Sequence, residues 1–344
     1  QFIRKWESWA KVFAIAPRKP VRATTEGGIQ YRCSYILTNK SLEKVGEDLL
    51  KYKVEKLSGA LDYDKKRGPE TYLSPLELAY CENDVRVVMS LVQEKIEQDG
   101  NIDRIQITST GYVRDYCRKA CSGYGIADNK ERTKTYWEYR RLMERLTMQP
   151  EEYVQLKRAF QGGFTHANAH YVRETLQDVG SFDFTSSYPA VMVLEKFPMS
   201  RPQLVYPKSI TEAEKYMQLY CCMFDVELVG LSLKNDIDAP LSKSRCIVKE
   251  GVVDDNGRVF SADRVVTTIT EQDYFTFKAF YKWDKIAIRN FRVFRRDYLP
   301  KPFVMSILKL YQDKTSLKGV NDRIVDYMLA KALLNACYGM TVTD

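Results

Sequence analysis

Only two histidines, His166 and His170, occur in the 344 residues, which leaves little room for histidine-based metal or acid–base chemistry. The eight cysteines are scattered without a CxxC pair. That scatter excludes a disulfide-scaffolded secreted domain and favours free thiols in a reducing cytoplasm. Cys117, Cys121, His166 and His170 supply four nominal zinc ligands, but the gap between the two pairs is far longer than a compact finger allows, and no zinc site is expected. No stretch approaches the ~18 uninterrupted apolar residues of a membrane span. The N-terminal QFIRKWESWAKVFAIAP mixes charge with aromatics where a signal peptide has an apolar core, so no membrane partner is expected. Internal repeats and low-complexity segments are missing too.

What is present is enough apolar material, 44% of residues, to bury a large core in two or three domains. The formal charge of +8 suits a polyanionic partner. Much of the excess lies between Lys278 and Lys301, where eight basic residues face two acidic ones. Phe280, Tyr281, Trp283, Phe291, Phe294 and Tyr298 interleave with those cations, and Arg292, Arg295 and Arg296 stand among them. Such a block suits phosphate backbones and base stacking; the alternative is a solvated basic face over an aromatic core. The first residue is Gln1 rather than Met, and the sequence is read as an internal piece of a longer protein.

Local signals divide the chain. Residues 30 to 98 suggest the tail of an α/β domain ending in a helix with Ser74 as N-cap, Pro75 at its first position, Glu77 closing a capping box and Gly100 beyond its end. Tyr80 and Asp84 share one face of it. Residues 101 to 160 are expected to be helical and charged. Gly162 and Gly163 free the backbone for a turn or a close approach. CCMFDVELVG at 221 to 230 predicts a strand, and Asn256-Gly257 a two-residue hairpin turn. Two helices close the chain, 303 to 318 and 322 to 338, with Gly319 between them.

Two segments carry chemistry. SFDFTSSYPAVM at 181 to 192 predicts an apolar strand ending at Asp183, then a turn into a helix with Pro189 in its first turn. Asp183 and the Phe184 carbonyl are hard oxygen donors suited to Mg²⁺. Amides from Thr185 through Ser186 and Ser187 to Tyr188 lie where a triphosphate is favourably held, and the Tyr188 ring could lie under a sugar and exclude a 2′-hydroxyl. KALLNACYGM at 331 to 340 sets Lys331, Asn335 and Tyr338 on one helical face, the first and last about 10 Å apart along the axis. Lys331 suits phosphate as a point charge, with Lys314 and Lys318 extending that reach. Taken singly, each segment also fits a plain strand end or an amphipathic helix with a solvated lysine.

In this order, the two segments resemble motifs A and B of family B DNA polymerases, with Gly339 completing the second. The long stretch between them resembles the protein-primed branch of small tailed phages. FQGGFT at 160 to 165 is similar to that branch's YxGG motif, with Phe160 in the tyrosine slot. The YCEND run, from Tyr80 to Asp84, is similar to the third exonuclease motif, and SYILT at 34 to 38 to the single-strand-binding motif through Ser34. Ser58 and Lys56 stand about where the branch has an exonuclease lysine, and Ser187 where motif A usually has leucine. The paired aspartates of motif C and the first two exonuclease motifs are not in the sequence.

The resemblance implies an α/β (α+β) protein with the end of an RNase H-like 3′–5′ exonuclease domain (1–100), a helical connector (101–160), the first half of a polymerase palm (161–275), a basic and aromatic insertion (276–302) and fingers (303–344). It implies nucleotidyl transfer from a deoxynucleoside triphosphate to a 3′-hydroxyl or a terminal-protein hydroxyl, with two Mg²⁺ ions. Asp183, Asp84 and Tyr80 would be catalytic, and Asp183, Phe184 and Asp84 would hold metal. Phe160, Gly162 and Gly163 would touch template. The implied partners are primer–template DNA, deoxynucleotides and a terminal protein, for a cytoplasmic monomer whose separate 344 residues are nearly inactive. The alternative is a nucleic-acid-binding protein that keeps the fold without the chemistry; a nuclease built around Asp84 is a third reading.

Overall fold

The computed structural model describes residues 7–17, 19–55, 57, 62, 64–68, 70–165, 171–235, 238–320 and 324–339. Lys56, Ser58, His166 and His170 lie outside them. Two compact units form, one from residues 1–120 with 305–344, the other from 121–304. All eight cysteines are free thiols. No helix among the described residues is long and apolar enough to cross a membrane.

The first unit opens with a three-stranded antiparallel meander, β1 (Trp9–Ala16), β2 (Lys19–Thr25) and β3 (Gln30–Arg32). Val21, Ala23 and Thr25 alternate inward along β2, the period of two expected of a half-buried strand. Short helices α1 (Ser34–Thr38) and α2 (Leu42–Asp48) lead to α3 (Pro75–Asp99), the long helix anticipated from its caps. Its capping box forms as expected: Glu77 N–H donates to Ser74 Oγ at 3.2 Å and Ser74 N–H to Glu77 Oε2 at 2.8 Å. Val87 and Leu91 of α3 pack on Val45 and Leu49 to make a small core. The helix α4 (Ser109–Cys121) follows.

Glu77 does more than cap. Arg67 donates to its Oε1 at 2.6 Å. That bond first, then the Ser74 amide, holds the carboxyl down at about 2. A depressed folded-state value makes this contribution complete above the ordinary carboxylate range, near pH 4.5, and loses it as pH falls from there towards 2. Glu77→Gln is therefore expected to flatten the acid limb of helix loss followed by circular dichroism between those values. An unchanged acid limb would show that Glu77 carries none of it.

The second unit begins with α5 (Asn129–Leu146), α6 (Pro150–Ala159) and α7 (Ser187–Leu194), and continues through the short strands β4 (Phe197–Pro198) and β5 (Gln203–Leu204) to α8 (Ile210–Leu219). Its body is an antiparallel sheet built on β6 (Cys221–Leu233), β7 (Cys246–Glu250), β8 (Val253–Asp255) and β9 (Arg258–Thr270). After α9 (Glu271–Phe280) come β10 (Tyr281–Lys282), β11 (Lys285–Phe294) and β12 (Arg296–Asp297). The order is β5-β11-β6-β9-β7, with β10 on β6 and β8 on β9. Asn256 and Gly257 turn β8 into β9 at φ of 47° and 79°, the left-handed pair a two-residue hairpin needs.

The sheet's two faces differ because successive residues of β6 point opposite ways. Phe224, Val226 and Leu228 face a core completed by Met217 of α8 and by Tyr274 and Phe277 of α9. On the opposite face Asp225 accepts from Thr268 Oγ1 and Asn290 Nδ2, each at 2.7 Å, while Gln155 of α6 donates to the Asn290 carbonyl. Asn290 takes φ of 50° at a bulge in the β6–β11 pairing, a conformation asparagine tolerates.

This sheet changes the reading of the basic block. β11 pairs with β6 from Lys285 to Phe294, and α9 runs through the expected boundary at 275 and 276, so residues 276–302 are not a separate body. Tyr281, Phe291 and Phe294 are buried and Trp283 packs against the core. Those rings are spent on the fold, not offered to bases. Arg292 donates to Gln155 Oε1, and Arg296 to the Met217 and Tyr220 carbonyls at 2.8 Å, so both guanidinium groups hold the structure together. Arg295 is exposed.

The chain closes with α10 (Lys301–Leu317) and α11 (Ile324–Gly339). Gly319 follows α10 at φ of 81°. Residues 305 onward belong to the first unit, and α4 and α5 fall on different sides of the division at residue 120. The expected single connector over 101–160 thus contributes to both units.

Candidate nucleotide and nucleic acid site

Asp183 does not stand at the end of a strand. Residues 174–184 are irregular and exposed, with Phe182 98% and Phe184 85% accessible. The alternation of Phe182 and Phe184 with Ser181 and Asp183 is strand-like, yet a strand needs a ladder partner, and no β-pairing involves this segment among the described residues. Asp183 is therefore an exposed carboxylate on an unpaired stretch. Beyond it Ser186 takes φ of 53° as the N-cap of α7 without a side-chain cap, and Ala190 N–H donates to the Ser186 carbonyl at 3.0 Å. Pro189 lies buried in the first helical turn, where its missing N–H has no helical acceptor to lose. The first-turn amides of Ser187 and Tyr188 have no intrahelical acceptor, the usual condition for holding an anion.

Two expected sites meet in this unit. A Cβ built on Gly163 would sit 3.0 Å from the Tyr188 hydroxyl, so Tyr188 reaches close to the Gly163 backbone and a larger residue there would press on it. Gly162, Gly163 and Phe160 line a cleft of about 590 Å³ with Phe164, Ser242, Arg245 and Arg258. Neither arginine stands in a motif or spacing that marks it in the sequence. Arg245 is nearly buried and donates to the Ala159 carbonyl at 3.0 Å, the Thr268 carbonyl at 3.1 Å, Asp273 Oδ2 at 3.3 Å and Gln161 Oε1. Arg258 donates to the Thr165 carbonyl at 3.3 Å and lies 4.4 Å from the centre of the Phe164 ring.

The second motif behaves as its spacing implies. Lys331, Asn335 and Tyr338 all lie on α11; the first two are exposed and Tyr338 is half-buried, while Ala330, Leu334 and Cys337 are buried. Gly339 ends the helix. Lys314 extends over the Tyr311 ring at 5.2 Å on α10, and Lys318 is exposed just after it. In the same unit Tyr80 is buried on α3 and Asp84 half-buried one turn on. Ser34 opens α1 and lines a cleft of about 490 Å³ with Arg32 and Ile105.

Cysteine chemistry finds no support. Burial pushes the Cys221 and Cys246 thiols up to about 11, far from the thiolate a nucleophile needs. Oxygen donors are the better fit to a hard cation: the Asp183 carboxylate and Phe184 carbonyl have the right chemistry. They are an incomplete set, since no group of three or more His, Cys, Asp or Glu side chains that could hold a metal occurs among the described residues.

A family model described as "DNA polymerase type B, organellar and viral" matches residues 31–344. The DNA polymerase of Bacillus phage phi29 is 23% identical over 188 residues, 54% of this chain and 29% of that protein. The polymerase of Bacillus phage B103 aligns with the same identity and coverage. Among solved structures, phi29 DNA polymerase complexed with single-stranded DNA matches at TM-score 0.65 and 18% identity, covering 95% of this chain and 52% of the other. The same polymerase with primer–template DNA matches at TM-score 0.63 and 18% identity, covering 92% and 48%. At such identities the likeness establishes the mixed α and β fold. The chain spans about half the length of those structures, and its alignment with the curated relatives covers under a third of theirs.

Proposed function

This chain belongs to the type B DNA polymerases of organelles and viruses, and on that premise we propose that it forms part of a protein-primed, template-directed DNA polymerase. The reaction would be nucleotidyl transfer from a deoxynucleoside triphosphate to a 3′-hydroxyl, or to a terminal-protein hydroxyl at initiation. The observation that carries the reading is the meeting of Gly163 with Tyr188 beside the N-terminus of α7, which joins the segment expected to touch template to the one expected to hold nucleotide.

In this reading the amides of Ser187 and Tyr188 bind phosphate, helped by the positive end of α7. In the other unit, taken by itself, α10, the residue following it and α11 carry groups suited to a nucleotide: Lys331, Lys314 and Lys318 would bind phosphate as point charges, Asn335 would orient its neighbours, and Tyr338 would pack on a base. Asp183 and the Phe184 carbonyl would hold a divalent cation, taken as Mg²⁺. Such an ion supplies charge stabilisation to the phosphoryl oxygens. Tyr80 and Asp84 would serve a 3′–5′ exonuclease, and Phe160 and Ser34 would contact single-stranded DNA. The solved relatives carry primer–template DNA and incoming nucleotides in their own structures, which supports those two partners. A binding protein without chemistry is not favoured by a family match that runs through both motifs.

Primer extension by the polymerase that carries this chain tests the reading. Elongation of a labelled primer–template supports it; duplex binding with no elongation would return the protein to the binding class. Tyr188→Ala is expected to reduce discrimination against ribonucleotides by roughly a hundredfold. An unchanged ratio of the two kcat/KM values would remove Tyr188 from sugar selection.

A further inference from the structure

We propose that Arg245 and Asp273 are positioning residues that set the 160–165 segment and, through Gly163, the Tyr188 hydroxyl. The three side chains Arg245, Asp273 and Gln161 form a closed ring. Arg245 donates to Asp273 Oδ2 at 3.3 Å and to Gln161 Oε1, and Gln161 Nε2 donates back to Asp273 Oδ1 at 3.1 Å. Asp273 is itself fixed, since the Thr270 amide donates to its Oδ2 at 3.0 Å in the capping box of α9. The ring therefore rests on the sheet and on a helix start, both rigid elements.

From that support the ring reaches one connecting segment. Arg245 takes the Ala159 carbonyl at the end of α6 and Gln161 two residues on; Arg258 takes the Thr165 carbonyl and stacks on Phe164. Residues 159–165 are thus gripped at one end by Arg245, in the turn just before β7, and at the other by Arg258 at the start of β9, with Gly162 and Gly163 between the grips. Glycines have no side chain to pack and leave their placement to the flanking anchors. Among the described residues, what a Cβ on Gly163 would meet is the Tyr188 hydroxyl, at 3.0 Å.

A buried ion pair is weak evidence for stability but fixes geometry well, because each partner is costly to leave alone. The side chains of Arg245 and Asp273 are only 8% and 10% exposed. Losing one grip would let the glycines drift towards or away from Tyr188. The role in sugar selection rests on the polymerase reading; the role in holding the segment does not.

Hydrogen–deuterium exchange of the full chain, in wild type and in Gln161→Ala, Arg245→Lys and Asp273→Asn, tests the holding role. Gln161 lies at the surface, so its truncation leaves the core packed even where the buried variants misfold. Amides of 160–165 are expected to exchange about tenfold faster in each folded variant, with β6 and β9 unaltered. Unaltered exchange at 160–165 in Gln161→Ala would overturn the proposal. In the nucleotide-incorporating polymerase, the deoxy-to-ribo ratio of kcat/KM should fall about fivefold in Gln161→Ala, with a smaller fall in deoxynucleotide kcat. Faster exchange with an unmoved ratio would overturn the relay to Tyr188. If the wild-type enzyme incorporates nothing, the polymerase reading fails, while the exchange result still decides the holding role.

Discussion

Asp183→Ala is expected to reduce nucleotide addition by the polymerase carrying this chain at least about a thousandfold, while primer–template binding changes by less than threefold. The residue is an exposed carboxylate on a segment that has no ladder partner among the described residues, so its removal costs the fold almost nothing. The effect should therefore appear in chemistry and not in stability. Single-turnover extension with excess enzyme separates the two, because it reads bond formation directly. Asp183→Asn keeps size and a hydrogen-bonding oxygen but removes the charge, and it should be nearly as inactive. Retention of more than a tenth of the rate in the alanine variant would take Asp183 out of the centre.

Phe224→Ala should produce the largest loss of stability. Phe224 is fully buried near the start of β6, stacks on Phe291 with ring centres 5.0 Å apart, and meets Tyr274 edge-on at 6.2 Å. Truncation removes an aromatic side chain and leaves a cavity that a two-faced sheet closes poorly, at a cost of about 3 to 5 kcal/mol. In a unit of this size that corresponds to a fall in melting temperature of roughly 10 °C. Phe224→Leu fills most of the space and should cost less than half as much. Calorimetry on the three proteins gives the comparison, and equal melting temperatures would mean that the sheet core does not carry the unit.

The contrast between these sites also explains what could be seen in the sequence. The caps of α3, the Asn256-Gly257 turn, the strand at 221–230 and the last two helices were legible because a few neighbouring residues decide each of them. The face of α11 with Lys331, Asn335 and Tyr338 followed from helical spacing alone. Pairings across long separations were not legible. The strand pattern before Asp183 was real, but pairing depends on a partner strand, which the local pattern does not report. The aromatics from Tyr281 to Phe294 looked like a stacking surface until β11 paired with β6 and turned Tyr281, Phe291 and Phe294 inward. Arg245 was invisible for the same reason: Gln161 is 84 residues away and Asp273 28, and nothing beside Arg245 in the chain announces either partner.

The division of the chain has a consequence for biosynthesis. The second unit is continuous from 121 to 304, whereas the first needs both 1–120 and residues from 305 onward. As the ribosome releases the polypeptide, the sheet unit has all its strands in hand before α11 exists. The portion from 1 to 120 must wait, its strands and α3 assembled without α10 and α11, until residues from 305 onward emerge. Contacts of such sequence separation close late. Nascent chains arrested within α11, with that helix still in the exit tunnel and β11 already released, should therefore resist protease across the sheet while residues 1–120 are still digested.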